Sequence, residues 1–266
     1  MKSAMRWLVL GVSLAAVAAV AAPTPAAAQE EKDWSVEVAL DYSSLYMFRG
    51  INLLGEDQEV WNPHAAVTFG NFTAYTYGYI GKFDAFDDFG NVVGEGDYEE
   101  IDLGAEYAFA FGEKFSLTLG GVAYFYNGET EVGTGYLDTF EIYAIASWDV
   151  LLAPTITYAQ DVDQIDGGFL ALDLSYSFEF SDKVSLDLLG QIGFDFGYNQ
   201  PGDDEARIEQ SQGDLNHWML GADLPIQFTD SFAGHVMVQQ FFSLDVAQEL
   251  EQDVEFVVTA GLAYTF

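Results

Sequence analysis

The chain of 266 residues has no cysteine, six prolines, three histidines and only eight lysines and arginines. The missing cysteine excludes disulfides, thiolate metal sites and a lipid-anchored cysteine at an export cleavage site. An exported protein of this kind must gain its stability from the fold itself. The few bases stand against 43 Asp and Glu, a formal net charge of −35, which opposes binding to nucleic acid and attracts cations. Adaptation to a salty habitat accounts for such acidity equally well. Beyond the first thirty residues no window approaches about 18 consecutive apolar residues, so no helical membrane span is expected there.

What is present points to strands. Half of the residues are hydrophobic, 16% are aromatic, and there are 26 glycines. A soluble domain with that aromatic load and so many acids needs an unusually large core, whereas a barrel with an apolar belt outside and a polar lumen accommodates both. Residues 1–28 read as an export signal. Lys2 and Arg6 open it, Trp7 to Ala22 form its apolar part, Pro23 and Pro25 break any helix, and Ala26-Ala27-Ala28 offers a cleavage site before Gln29. Residues 29–266 then form one outer-membrane β-barrel domain.

From Trp34 onward, apolar residues alternate with polar ones in segments of roughly ten residues. Phe256, Val258, Ala260, Leu262, Tyr264 and Phe266 share one face of the last segment. Ile101, Leu103, Ala105, Tyr107 and Phe109 oppose Glu100, Asp102 and Glu106 in the same way, as Leu174, Tyr176 and Phe178 oppose Asp173 and Glu179. A carboxylate facing lipid costs about 2–4 kcal/mol near the midplane or less, which makes the polar face the lumen. Tyr75, Tyr77 and Tyr79 suit either side. Short connectors are expected near Gly70-Asn71, Gly112-Glu113-Lys114, Asp149 to Ala153, Ser181-Asp182-Lys183 and Thr229-Asp230-Ser231, several next to an aromatic (Phe69, Phe111, Trp148, Phe180, Phe228) that suits a membrane interface. Longer acidic or Gly-rich connectors are expected at 50–60, 84–97, 127–137, 161–167, 197–213 and 244–252. This alternation predicts an all-β, transmembrane, antiparallel up-and-down barrel of about twelve strands, with both termini at one end. A soluble β-sandwich or lipocalin-like barrel shares the alternation but points its apolar face inward. The signal segment, the aromatic rim and the aromatic-ended last strand favour the membrane barrel. In that strand Leu262, Tyr264 and Phe266 resemble the assembly signal read by the barrel-assembly machinery, and lipid and lipopolysaccharide are the expected surroundings.

The strand phase directs Glu37, Asp41, Glu100, Asp102, Glu106, Glu141, Asp173, Glu179, Asp187, Asp195 and Asp223 inward, with Arg49 the main basic candidate to meet them. Acidic linings favour cations. These twelve residues are the candidate pore lining. Asp161-Val162-Asp163-Gln164-Ile165-Asp166-Gly167 is similar to a calcium loop, but Ile165 stands where an oxygen ligand belongs and no Glu closes it, so no metal site is assigned. The acidic groups Glu56-Asp57-Glu59, Asp84-Asp87-Asp88 and Asp203-Asp204-Glu205 read as solvated loops able to chelate loosely. His64, His217 and His235 take inward phase without the Ser and Gly context of an outer-membrane lipase, so neither a catalytic site nor a cofactor is expected.

The stretch Tyr42-Ser43-Ser44-Leu45-Tyr46-Met47-Phe48-Arg49-Gly50-Ile51 resembles the opening motif of the TorF-like porin family, whose core is Tyr-x-Phe-Arg-Gly. Asn62-Pro63 and Gly70-Asn71-Phe72-Thr73 fit the strand and turn that follow there. The resemblance is specific over about forty residues and implies an exported outer-membrane protein with a pore; the acidic loops depart from it, so solute preference does not carry over. In its bland role the Arg-Gly pair makes a tight bend and sets Arg49 against wall carboxylates. The expected function is a porin-like channel for small solutes, cation-preferring. The alternative is a non-conducting surface barrel whose acidic loops bind divalent cations, lipopolysaccharide or a protein partner.

Overall fold

The computed structural model describes residues 34–55, 57–86, 92–126, 138–199, 213–249 and 252–266. The signal segment, Glu56, Asp87, Asp88 and Asp203-Asp204-Glu205 lie outside them, as do the side chain of Asp84 and the connector 127–137. The fold is all-β: a closed antiparallel barrel of twelve strands. Its strands are β1 (Trp34–Ser43), β4 (Val60–Phe69), β5 (Phe72–Phe86), β6 (Val92–Phe111), β7 (Phe115–Tyr126) and β8 (Thr139–Trp148). They continue as β9 (Thr155–Asp161), β10 (Gly168–Ser181), β11 (Val184–Phe196), β12 (Asp214–Gln227), β13 (Phe232–Ser243) and β14 (Glu255–Thr265). Two two-residue strands, β2 (Met47–Phe48) and β3 (Ile51–Asn52), form a separate hairpin, and a short helix α1 (Asp245–Glu249) precedes β14.

Each barrel strand pairs with its neighbour in the chain, and β1 pairs with β14, so no edge is left open. The closing register sets Val38 opposite Tyr264 and Leu40 opposite Leu262, and the Phe266 N–H donates to the Val36 carbonyl at 2.9 Å. The alternation is realised as expected. Ile101, Leu103, Tyr107 and Phe109 are exposed on the outside of β6, while Glu100, Asp102 and Glu106 are buried inside. Leu262, Tyr264 and Phe266 likewise lie exposed on the outer face of β14. Phe69, Phe111, Phe180 and Phe228 are exposed beside the short turns, at the end that also holds Trp34 and Phe266.

One expected connector is changed along the wall, and one open assignment is resolved. The connector expected at 84–97 is largely strand: Lys82 pairs with Asp97, Phe83 with Gly96 and Asp84 with Glu95. A strand of 20 residues, β6, rises by about 3.3 Å per residue, or roughly 66 Å, well beyond a hydrocarbon core of about 30 Å. Acidic residues there pair as strand through their backbone, which the ladder needs whatever the side chain. The ambiguous tyrosines are settled by their partners. Tyr75 shares a hydrogen bond with Tyr143 at 2.9 Å, Tyr77 stacks on His64, and Tyr79 stacks on Tyr46, so all three face inward.

Candidate functional site

The connector between β1 and β4, expected at least from residue 50 as an external loop, instead folds into the barrel. Its tip is the two-residue turn Arg49-Gly50 between β2 and β3, with φ of 51° and 79°. Positive φ at both central residues is the type I′ turn that matches the twist of a hairpin. Gly50 supplies it freely, whereas Arg49 holds a left-handed conformation at some cost. Gly50 is also required by space, since a Cβ there would collide with the His217 ring.

The hairpin crosses the lumen. On one side Leu45 and Met47 pack against Met219, Phe241 and Val257 of β12, β13 and β14. On the other, Tyr46 and Leu54 pack against Val60, Tyr79 and Tyr98 of β4, β5 and β6. Tyr46 and Tyr98 both donate to Glu100 Oε2, at 2.9 and 2.5 Å. At the tip, Arg49 Nη2 meets Glu141 Oε2 of β8 at 2.6 Å, with both side chains buried. The opposite face of the tip is held by β12. A β-bulge there sets Gly193 opposite His217 but Phe194 opposite Leu215, which leaves Asn216 as the extra residue. Asn216 and His217 are therefore both fully buried, and Asn216 Nδ2 donates to the Arg49 carbonyl. From the 244–254 connector, Gln252 Oε1 accepts from the Asn52 N–H at 2.7 Å, anchoring the hairpin base.

The twelve candidate lining residues divide into three groups. Arg49, Glu100, Glu141, Asp102, Glu106 and Asp195 surround the hairpin level, mostly partnered: Glu106 accepts from Tyr143 at 2.7 Å, and Asp195 from the N–H groups of Tyr198 and Asn199 at 2.8 and 2.9 Å. Asp41 and Asp223 bracket His235, whose Nε2 lies 3.4 Å from Asp41 Oδ1 and whose Nδ1 lies 3.1 Å from Asp223 Oδ1. Asp41 reaches His235 across β14 because Gly261 stands between them, where a Cβ would collide with the carboxylate. Glu37, Asp173 and Asp187 are half-buried nearer the termini, and Glu179 is exposed at that mouth. Glu100, Asp102 and Glu106 thus do not line open water, as a bare wall would have left them. Tyrosines and the hairpin enclose them.

Sequence reasoning missed Asn216, Phe169 and Tyr198 around Arg49. One signal was legible: Ile51, Leu53 and Leu54 are apolar residues unsuited to a solvated external loop. The 161–167 segment is self-satisfied. Asp161 Oδ1 accepts from the N–H groups of Asp163, Ile165 and Asp166, and Oδ2 from the Thr139 hydroxyl, so its carboxylate caps the turn. The hydrogen bonds of His64, His217 and His235 go to Asn62, Asn216, Gln191, Asp41 and Asp223, with no hydroxyl among the described partners.

No family model and no curated protein matches the sequence. Solved structures do match in shape. The KdgM porin superposes over 87% of this chain and 99% of its own, with a TM-score of 0.53 at 11% identity. The fold is that of an outer-membrane β-barrel. An outer membrane channel from Pseudomonas putida covers 88% of this chain and 95% of its own, with a TM-score of 0.54 at 9% identity. The translocator domain of the autotransporter NalP from Neisseria meningitidis covers 89% and 90%, with a TM-score of 0.51 at 12% identity. At such identity the likeness concerns the fold, and one barrel size serves a porin, a channel and a translocator.

Proposed function

We propose that this protein is a porin-type channel of the bacterial outer membrane, passing small solutes with a preference for cations, its bore set by the inward hairpin. The observation that carries the preference is the sign of the inner face. Among the described residues Arg49 is the one Lys or Arg side chain inside the barrel, and it is already matched by Glu141. The remaining inward carboxylates, Glu37, Asp173 and Asp187 among them, leave a field that enriches cations. The porin and channel neighbours support the channel reading, as does the resemblance of Tyr46-Met47-Phe48-Arg49-Gly50 to the TorF-like porins, whose motif here is the part of the chain that crosses the lumen. No reaction is assigned to the protein.

One observation favours the alternative of a non-conducting surface barrel: the hairpin and its partners are packed, with Tyr46, Leu54 and Glu141 almost wholly buried. In that reading acidic loops bind divalent cations, lipopolysaccharide or a protein. In either reading the apolar belt contacts membrane lipid, the last strand engages the barrel-assembly machinery, and residues 1–28 are a removed leader. Mass spectrometry of outer-membrane material should find a chain that begins at Gln29, and an intact Met1 would speak against the leader. Planar-bilayer recording of the folded protein decides between the readings: single-channel conductance supports the channel, and a silent but correctly folded barrel supports the alternative.

A further inference from the structure

Arg49 is enclosed by three aromatic rings and a carboxylate. The guanidinium carbon stands 3.7 Å from the centre of the Tyr198 ring, 5.3 Å from that of Phe169 and 4.9 Å from that of Phe48. Ring faces carry negative potential and attract a planar cation, most strongly where water is excluded. Glu141 supplies the counter-charge at 2.6 Å, and Tyr124 donates to the same carboxylate oxygen at 3.1 Å. Asp195 holds Tyr198 in place through the backbone N–H of that residue. Apart from Phe48, every part belongs to the barrel wall or to the segment after β11, and Phe48 packs against Tyr198 and Phe169 from the hairpin.

Arg49 fits this enclosure incompletely. A guanidinium can offer a carboxylate two parallel N–H groups. Arg49 offers one, through Nη2, while Nη1 has no hydrogen-bond partner although the side chain is only 3% exposed. Its backbone is fixed by the turn, at a φ of 51°, and by the bond from Asn216 to its carbonyl. A free guanidinium carries neither restraint.

We propose that Glu141, Tyr198 and Phe169 form a binding site for guanidinium-bearing solutes, in which Arg49 is a tethered internal occupant that such a solute replaces. Replacement removes the ion pair that pins the hairpin tip to β8 and leaves the tip held through the Arg49 carbonyl, which accepts from Asn216 and from Asn199. Binding itself stands apart from the channel reading; only its effect on passage rests on that reading.

The test uses the full-length barrel carrying Arg49→Ala, folded in detergent and titrated calorimetrically with methylguanidinium chloride against sodium chloride of equal ionic strength. Saturable binding is expected, weakened at least about tenfold when Glu141→Gln is added, because the cation then lacks its counter-charge. The wild-type barrel should bind roughly a hundredfold more weakly, since the tethered arginine competes at high effective concentration. If Arg49→Ala folds poorly alone, methylguanidinium in the refolding mixture replaces the titration. Recovery of heat-modifiable barrel with methylguanidinium, and none with sodium chloride, supports the site. Absence of binding or rescue, or binding indifferent to Glu141→Gln, overturns it. A barrel that binds but never conducts keeps the site and loses the channel; one that conducts but never binds does the reverse.

Discussion

Gly50 meets two demands at one position: a φ of 79° and a backbone pressed against the His217 ring. Replacing it by Ala adds a Cβ where the turn is left-handed and where His217 must then move. His217 is itself tied to Gln191 at 2.8 Å, so the ring has little room to yield. We expect Gly50→Ala to cost about 1–3 kcal/mol and to lower the temperature at which the barrel loses its folded mobility on unheated gels. An unchanged transition would show that the hairpin tip is not held as described. Asn216 is a second residue of this kind, legible in sequence only as a polar residue before a histidine. Its inward aim comes from the bulge, which turns two consecutive side chains to one face.

In the channel reading the hairpin is the element that sets passage, because it packs against the walls on both sides of β1, β12 to β14 and β4 to β6. Replacing residues 46–53 with a short Gly-Ser linker should leave the barrel closed, since β1 still pairs with β4 and β14. Conductance should rise several-fold over wild type if the hairpin sets the bore, and equal conductance would place the constriction elsewhere. The proposed assembly role of the last strand is tested at its end. Phe266 contributes an exposed aromatic beside Tyr264 and a backbone hydrogen bond to Val36 across the closing seam. Its deletion should reduce folded protein in the outer membrane more than it reduces export, as measured by fractionation. Normal levels of heat-modifiable barrel after deletion would speak against this role.

At the scale of the whole molecule, the proposed cation preference rests on the sign of the inner field. Under a salt gradient the reversal potential should have the cationic sign, and the preference should fade as the Debye length falls from about 10 Å at 0.1 M to about 3 Å at 1 M. The carboxylates to neutralise are Glu37, Asp173 and Asp187, by Glu37→Gln, Asp173→Asn and Asp187→Asn together. They are half-buried, with Asp173 accepting from Gln191 at 2.7 Å, whereas Glu100 and Glu106 are buried and accept from tyrosines. The triple variant should fold normally and lose part of its cation preference. An anionic sign in the wild type would remove the cation reading.

Alternation by itself determined that the chain is strand-built and which residues share a face, because a strand's two faces follow from a period of two. The spacing of the connectors gave about twelve strands, and the signal segment, the aromatic rim and the aromatic-ended last strand set Leu262, Tyr264 and Phe266 outward. Composition made Arg49 the main base to meet the inward carboxylates, the acids being many and the bases few. Only the tertiary structure decided which carboxylate, since Glu141 lies 92 residues away and is brought to Arg49 by ring closure. The same holds for the position of the hairpin. A connector's local sequence encodes its turn, here Arg49-Gly50, but whether that turn points outward or into the lumen depends on walls contributed by β4 to β14. The strand phase could place a carboxylate inside without telling whether water, tyrosine or the chain's own loop stood in front of it. That distinction requires all the walls at once.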